Sequence, residues 1–344
     1  MEIPLGIEGD YIETKKEHLF FDVKGLHHPN DRKICFLRFI PDAEGDRVRH
    51  GMTYTKIYDL QHRYSIIKEK YPQYSFFSKE MDMNLQCVKN QDIKKIYSPR
   101  DYFKIVNSKQ NLTEIENLSK NLCELFIRLG DIPENLIGMT GSPMIGLNTK
   151  NSDIDIILYG THTNLQFQEK LQNIFKNNNQ VRKYNLDDYK KHYDWRVGGS
   201  DIRFQDFLKS EQRKLHQGKY QGIDFFIRYI KSPSDWEGDY YDYQYKNMGR
   251  ISLIAEIMDS TDSIFTPCLY KIKCSKVLLS DSAINNRMDL ITQINSYRGR
   301  FCEQAKDGEK VLVEGKIEKV NYRDSEFYRI LLTDQTLDKM IIID

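Results

Sequence analysis

The stretch Met139–Gly160, MTGSPMIGLNTKNSDIDIILYG, decides how the chain is read. It carries a Gly-Ser pair at Gly141 and Ser142, ten further residues, and then Asp153-Ile154-Asp155 at the head of an apolar run. Side chains alternate along a strand, so Asp153 and Asp155 point to the same side of it. The unbroken run Ile156-Ile157-Leu158 suits a strand covered on both faces. Carboxylates in such a place cost on the order of several kcal/mol unless a cation answers them. Asp224 stands near the start of another apolar run, GIDFFIRYI, which can lie beside the first. Three converging carboxylates form an all-oxygen donor set, which favours Mg²⁺ or Mn²⁺ over zinc. A pair of such ions can bind a nucleoside triphosphate and activate a hydroxyl for in-line attack. Gly141 permits backbone geometry closed to other residues, Ser142 offers a hydroxyl and an N–H, Pro143 stiffens the turn, and Gly146 allows a second close approach. The stretch reads as an anion cradle placed ahead of a metal cluster.

Composition sets the frame for that stretch. The chain has 344 residues, 40% apolar and 29% charged, with a formal net charge of +1. This is a folded composition with room for two or three domains, and any basic surface must be local. No run approaches the roughly 20 apolar residues of a membrane helix. The start, MEIPLGIEGDYIETKK, lacks a basic segment followed by an apolar one, so no secretory leader is expected. Six scattered cysteines without a C-x-x-C pair read as reduced thiols of a cytoplasmic protein rather than a zinc site.

Three zones follow. Residues 1–107 read as a β-rich domain with one helix, in which Leu60, Tyr64, Ile67 and Tyr71 recur at helical spacing and Pro72 ends the run. SPRDYFKIVNSKQN then reads as a connection. Residues 108–231 hold the opening stretch. A helix starts at Thr113, whose capping box is completed by Glu116, and Gly130 closes it. Strands NLIGMTGS and DIDIILYG, a helix capped at Thr163, a helix over DIRFQDFLKSEQRKL and the strand GIDFFIRYI follow. Residues 232–344 open on a tyrosine-rich loop, SDWEGDYYDYQYKNMG, and continue as five short strands, which suggests a small barrel of the OB or a related type. The fold class expected is α/β (α+β) and multidomain.

The Gly-Ser turn, the ten-residue spacing, Asp-x-Asp and a later strand acid resemble the DNA polymerase beta superfamily of nucleotidyltransferases. The resemblance covers about residues 110–231. It implies a polymerase-beta-like core flanked by two β-rich domains, with Asp153 and Asp155 holding the metal ions. Asp224 would join them at the catalytic metal and help activate the acceptor hydroxyl, while Gly141 and Ser142 hold the β and γ phosphates. It also implies Mg²⁺ or Mn²⁺ as cofactor and an NTP such as ATP as substrate. The outer zones, the opening GDYIETKKEHLFFDVKGL above all, resemble uncharacterised archaeal proteins that carry this domain between β-rich flanks. One position departs from the pattern: many small members have an Arg three residues after the Ser, and Ile145 stands there. Arg228, four residues beyond Asp224 and so on the same strand face, is a candidate replacement, and Arg196 is another.

Other features read more plainly. His27 and His28 in HHPND suit a turn, and His162 a helix cap. KSEQRKLHQGK suits a solvated helix face. The tyrosines from Tyr240 to Tyr245 suit either interdomain packing or base stacking. The expected activity is transfer of a nucleotidyl group from an NTP to a hydroxyl, with RNA 3′ ends, protein side chains and small molecules all open as acceptors. The competing reading is a non-enzymatic nucleic-acid-binding protein whose central domain is a relic. No membrane partner is expected.

Overall fold

A computed structural model describes residues 2–281 and 285–343. The described residues form three sheets, one from each zone of the sequence, with six α-helices among them. They gather into two compact units, and the boundary differs from a division at 107 and 231. One unit holds residues 1–78, 84–182 and 217–240; the other holds 79–83, 183–216 and 241–344.

In the first unit, the N-terminal sheet is built from Tyr11–Thr14, Phe20–Val23, Arg32–Pro41, Arg47–Arg49, Met52–Lys56, Ser75–Ser78, Met83–Lys89 and Ile93–Tyr97. Its core, with Ile12, Phe21, Val23, Cys35 and Leu37, is covered by the helix Leu60–Lys70 through Ile66 and Ile67. Asp59 caps that helix by accepting a hydrogen bond from His62 N. Within DAEGDRVRHG, residues 42–51, the short strand Arg47–Arg49 pairs with Met52–Lys56.

The central sheet runs Val181–Arg182, Gln217–Tyr220, Ile223–Ile230, Ile154–Tyr159, Ile137–Thr140. Ile154–Tyr159 is parallel to Ile223–Ile230 and antiparallel to Ile137–Thr140. The helices Glu114–Gly130 and Thr161–Asn177 meet through Phe126 and Phe167, edge to face at 5.1 Å. Thr113 and Glu116 form the expected capping box, whereas Thr161–Asn177 has no side-chain cap. Gly130 serves packing rather than termination, because a Cβ there would overlap Phe167; the left-handed residue that ends the helix is Asp131. SPRDYFKIVNSKQN is not a connection but carries the helix Pro99–Ser108, with proline in its first turn and Tyr102, Phe103 and Val106 buried.

The segment before Tyr11 contributes to this sheet's core. Ile3 and Ile7 pack with Ile157, Tyr159 and Ile230. Gly9, at φ +95°, leaves room for Ile157, whose Cδ1 would lie 2.8 Å from a Cβ at that position.

The second unit contains a β-barrel. Its ring is Tyr243–Asp259, Cys268–Ser280, Ile291–Ser296, Ser325–Leu331 and Lys310–Tyr322, closed by pairing of the last with the first. Lys339–Ile343 adds to Lys310–Tyr322. The first strand takes in much of the expected tyrosine-rich loop, and Ile291–Ser296 is a strand the sequence did not announce. The helices Leu186–Val197 and Phe204–Glu211 belong to this unit. KSEQRKLHQGK is not a solvated face here: Lys214 is fully buried, ion-paired with Glu211, and donates to Arg300 O, while His216 meets Glu303 at 3.0 Å. The six cysteines are free thiols. Among the described residues no helix is long and apolar enough to cross a membrane.

Candidate functional site

The antiparallel pair Ile137–Thr140 and Ile154–Tyr159 sets Thr140 beside Asp155. The chain then leaves the sheet at Gly141, whose φ is +81° and where a Cβ would overlap Asp155 Oδ2. Only glycine lets the backbone seat against that carboxylate. The turn is closed by Gly146 N donating to Pro143 O at 3.0 Å and Leu147 N donating to Ser142 O at 2.9 Å. Ser142 is buried, with its Oγ 3.2 Å from Ser152 Oγ. The structure therefore brings Gly141, Ser142 and Asp155 together. Asp153 is exposed, one alternation upstream of Asp155.

Asp155 is half-buried by area, yet its carboxyl is enclosed by protein. Burial and the neighbouring Asp153 push its pKa up to about 7, against the pull of Lys56, Arg228 and Arg38. Those cations answer the charge question that the sequence raises, and two of them come from the N-terminal sheet. Burial opposes the Arg38 charge, but Tyr11, Asp22 and Asp155 together hold its pKa above the ordinary value. Arg38 Nε has no hydrogen-bond acceptor among the described residues. Burial brings Lys56 down to about 8, with Arg38 adding to the fall and Asp153 and Asp155 opposing it.

Arg228 lies on the Asp155 face of the sheet, since Asp155 pairs with Phe226 and side chains alternate. Its Nη1 donates to Glu8 Oε1 at 2.6 Å and lies 3.9 Å from Asp22 Oδ1. It is thus engaged by N-terminal acids rather than open to a phosphate, and acts on Asp155 through space. Sequence reasoning missed Glu8, Asp22, Arg38 and Lys56, which stand far from the motif in the chain and carry no spacing signal.

Asp224 shares the face of Asp155 but is 53% exposed and pairs with Lys219 at 3.0 Å on the neighbouring strand. Among the described residues no three His, Cys, Asp or Glu side chains are gathered closely enough to hold a metal ion. The three acids are therefore not assembled as one cluster. Arg196 lies in the other unit, where its Nε donates to His192 Nε2 at 3.0 Å. His28 is buried, its pKa pushed down to about 3 by burial, and its Nδ1 accepts from Ile34 N. It stands outside regular structure, between the strands Phe20–Val23 and Arg32–Pro41. His162 is exposed in the first turn of its helix.

No family model matches the chain, and no solved structure matches it. It is 26% identical over 337 residues to the uncharacterized protein MJ1086 of Methanocaldococcus jannaschii, covering 95% of each chain. The likeness runs through all three zones of the sequence.

Proposed function

We propose that the chain is a metal-dependent nucleotidyltransferase, moving a nucleotidyl group from an NTP to a hydroxyl and releasing pyrophosphate. The observation that carries the reading is the seating of the Gly141–Ser142 turn on the Asp155 carboxylate. It brings the turn against one acid of the pair, which supports reading cradle and acids as a single site. The donors fit a hard divalent ion: Mg²⁺ is commonly held by one or two carboxylates, with water and substrate phosphates completing its shell. Asp153 and Asp155 would hold Mg²⁺ or Mn²⁺. When bound, the ion offsets phosphate charge and makes the α-phosphorus more open to attack.

The chain's own residues do the rest. Gly141 N–H and Ser142 N–H and hydroxyl orient the β and γ phosphates. Arg228, fixed by Glu8, and Arg38 keep Asp155 in place and temper its charge. Asp224, exposed on the same strand face, accepts the proton of the acceptor hydroxyl once Lys219 releases it. On the barrel, Tyr243 stacks on Tyr322 at 4.2 Å and neighbours Tyr245 at 5.8 Å, while the Arg329 guanidinium lies 3.8 Å over Tyr245. Such aromatic rows hold single-stranded bases elsewhere, which supports single-stranded RNA as a ligand of the barrel.

A second reading, a nucleic-acid-binding protein with an inactive central domain, has one observation in its favour. Asp155 already faces Lys56, Arg228 and Arg38, and Asp224 has Lys219. Incubation with each α-labelled NTP, Mg²⁺ and RNA or protein separates the two. Label passing to an acceptor with pyrophosphate release, abolished in Asp155→Asn, supports transfer. RNA binding with no label incorporated under any NTP supports the second reading.

A further inference from the structure

The turn from Gly141 to Gly146 has no cationic side chain of its own. Ile145 is 1% exposed and Met144 5%, so both point into the core. Backbone N–H groups and one hydroxyl answer only part of a triphosphate's charge, and a nearby ammonium or guanidinium ordinarily answers more. Such a cation must come from elsewhere in the fold.

The hairpin formed by Arg47–Arg49 and Met52–Lys56 lies against this turn. Arg47 Nη1 donates to Leu147 O at 2.6 Å, and Arg49 Nε stands 3.7 Å from where a Cβ of residue 146 would be. Arg47 pairs with Tyr54 across the hairpin, and Lys56 pairs with Phe39 on the next strand. The Arg47 guanidinium lies 5.6 Å from the Phe39 ring centroid. Arg47, Phe39, Tyr54 and Lys56 therefore share one face of the sheet, the face that meets the Gly141–Leu147 turn.

The cations of this hairpin are not equally engaged. Arg47 is held by Leu147 O and Tyr58, and Arg49 by Glu13 and Tyr97. The Lys56 ammonium makes no hydrogen bond and no ion pair among the described residues; its Nζ lies 4.9 Å from the Tyr58 ring centroid. The acids whose charge reaches it are Asp153 and Asp155. A half-buried ammonium held near an acid pair and a phosphate-type turn, without a fixed partner, is a ligand cation in waiting. Its flexible stem and point charge suit a phosphate oxygen.

We propose that Lys56 is the phosphate-binding cation of this site: its Nζ contacts the terminal phosphates of a triphosphate seated on Gly141 and Ser142. The N-terminal sheet thereby takes the role that Ile145 leaves open. The inference rests on the nucleotidyltransferase reading and adds a residue to it.

Calorimetric titration of the full chain with ATP, inorganic tripolyphosphate and AMP, each with Mg²⁺, tests it. Wild type is compared with Lys56→Gln, Lys56→Met and Lys56→Arg. Loss of one charge-assisted contact weakens ATP and tripolyphosphate about tenfold or more in Lys56→Gln and Lys56→Met. AMP binding stays as in wild type, and Lys56→Arg stays close to wild type for all three. Having both neutral variants keeps a folding defect in one from deciding the outcome. Wild-type affinity for ATP and tripolyphosphate in the neutral variants would overturn the Lys56 role alone and leave the site standing. Equal weakening of ATP and AMP would overturn it too, since the effect would lie in the site's general integrity. A wild-type chain that binds neither ATP nor tripolyphosphate would remove the nucleotidyltransferase reading and this inference with it.

Discussion

Asp155 meets two opposed demands, because its carboxyl is enclosed in protein and yet faces a second acid and three bases. Its pKa stands near 7, against an ordinary 3.8 in the unfolded chain. The native state therefore binds a proton between those values that the unfolded chain does not. This contribution to stability is whole below about pH 4 and is lost as pH rises through 7. Asp155→Asn removes the ionisation. Its unfolding free energy, read by urea denaturation, should exceed that of wild type at pH 8 and match it at pH 4, with a difference on the order of 2–4 kcal/mol at most. Destabilisation at both pH values would mean that the carboxylate is held as a structural anion by Arg38 and Arg228. Gly141→Ala acts on the same spot. A left-handed backbone and overlap with Asp155 should cost about 1–3 kcal/mol and abolish ATP binding, read by urea midpoint and titration. The cradle and the acid pair were legible because both lie in one short stretch whose residue types and spacing carry the chemistry. Lys56, Arg38 and Glu8 were not, because nothing local marks a residue that meets its partner across more than ninety positions of chain.

Elements were legible where burial leaves a periodic trace. The strand Ile154–Tyr159 is almost wholly buried, Ile223–Ile230 alternates buried Phe225, Ile227 and Tyr229 with less buried neighbours, and the helix Glu114–Gly130 has a capping box and a buried stripe. Thr113→Ala should cost about 1 kcal/mol in the urea midpoint without changing nucleotide binding. The helix Leu186–Val197 escaped notice because only Tyr189 and Val197 are buried along it. The helix Pro99–Ser108 was hidden by its proline, which opens it rather than breaks it. Strand register gives Asp224 a place on the Asp155 face but an ion pair to Lys219. Asp224→Asn should keep ATP affinity and lose about 10²-fold or more in transfer rate. Normal turnover in that variant would place the proton acceptor elsewhere.

At the scale of the whole chain, three sheets were readable from sequence, but their grouping was not. Domain boundaries drawn from composition miss contacts such as those of Ile3, Ile7 and Glu8 with the central sheet. A fragment of residues 108–231 should accordingly be insoluble or molten, with Ile157 and Tyr159 uncovered, whereas the full chain folds; far-UV and near-UV circular dichroism distinguish the two. The central claim is that the turn at Gly141 and the acids at Asp153 and Asp155 form one metal–nucleotide site. The most direct test is calorimetric titration of ATP into the full chain with Mg²⁺ and with EDTA, for wild type and Asp153→Asn. The result expected is saturable binding that requires Mg²⁺ and is lost in the variant. Binding of equal strength in EDTA, or unchanged in Asp153→Asn, would contradict the account.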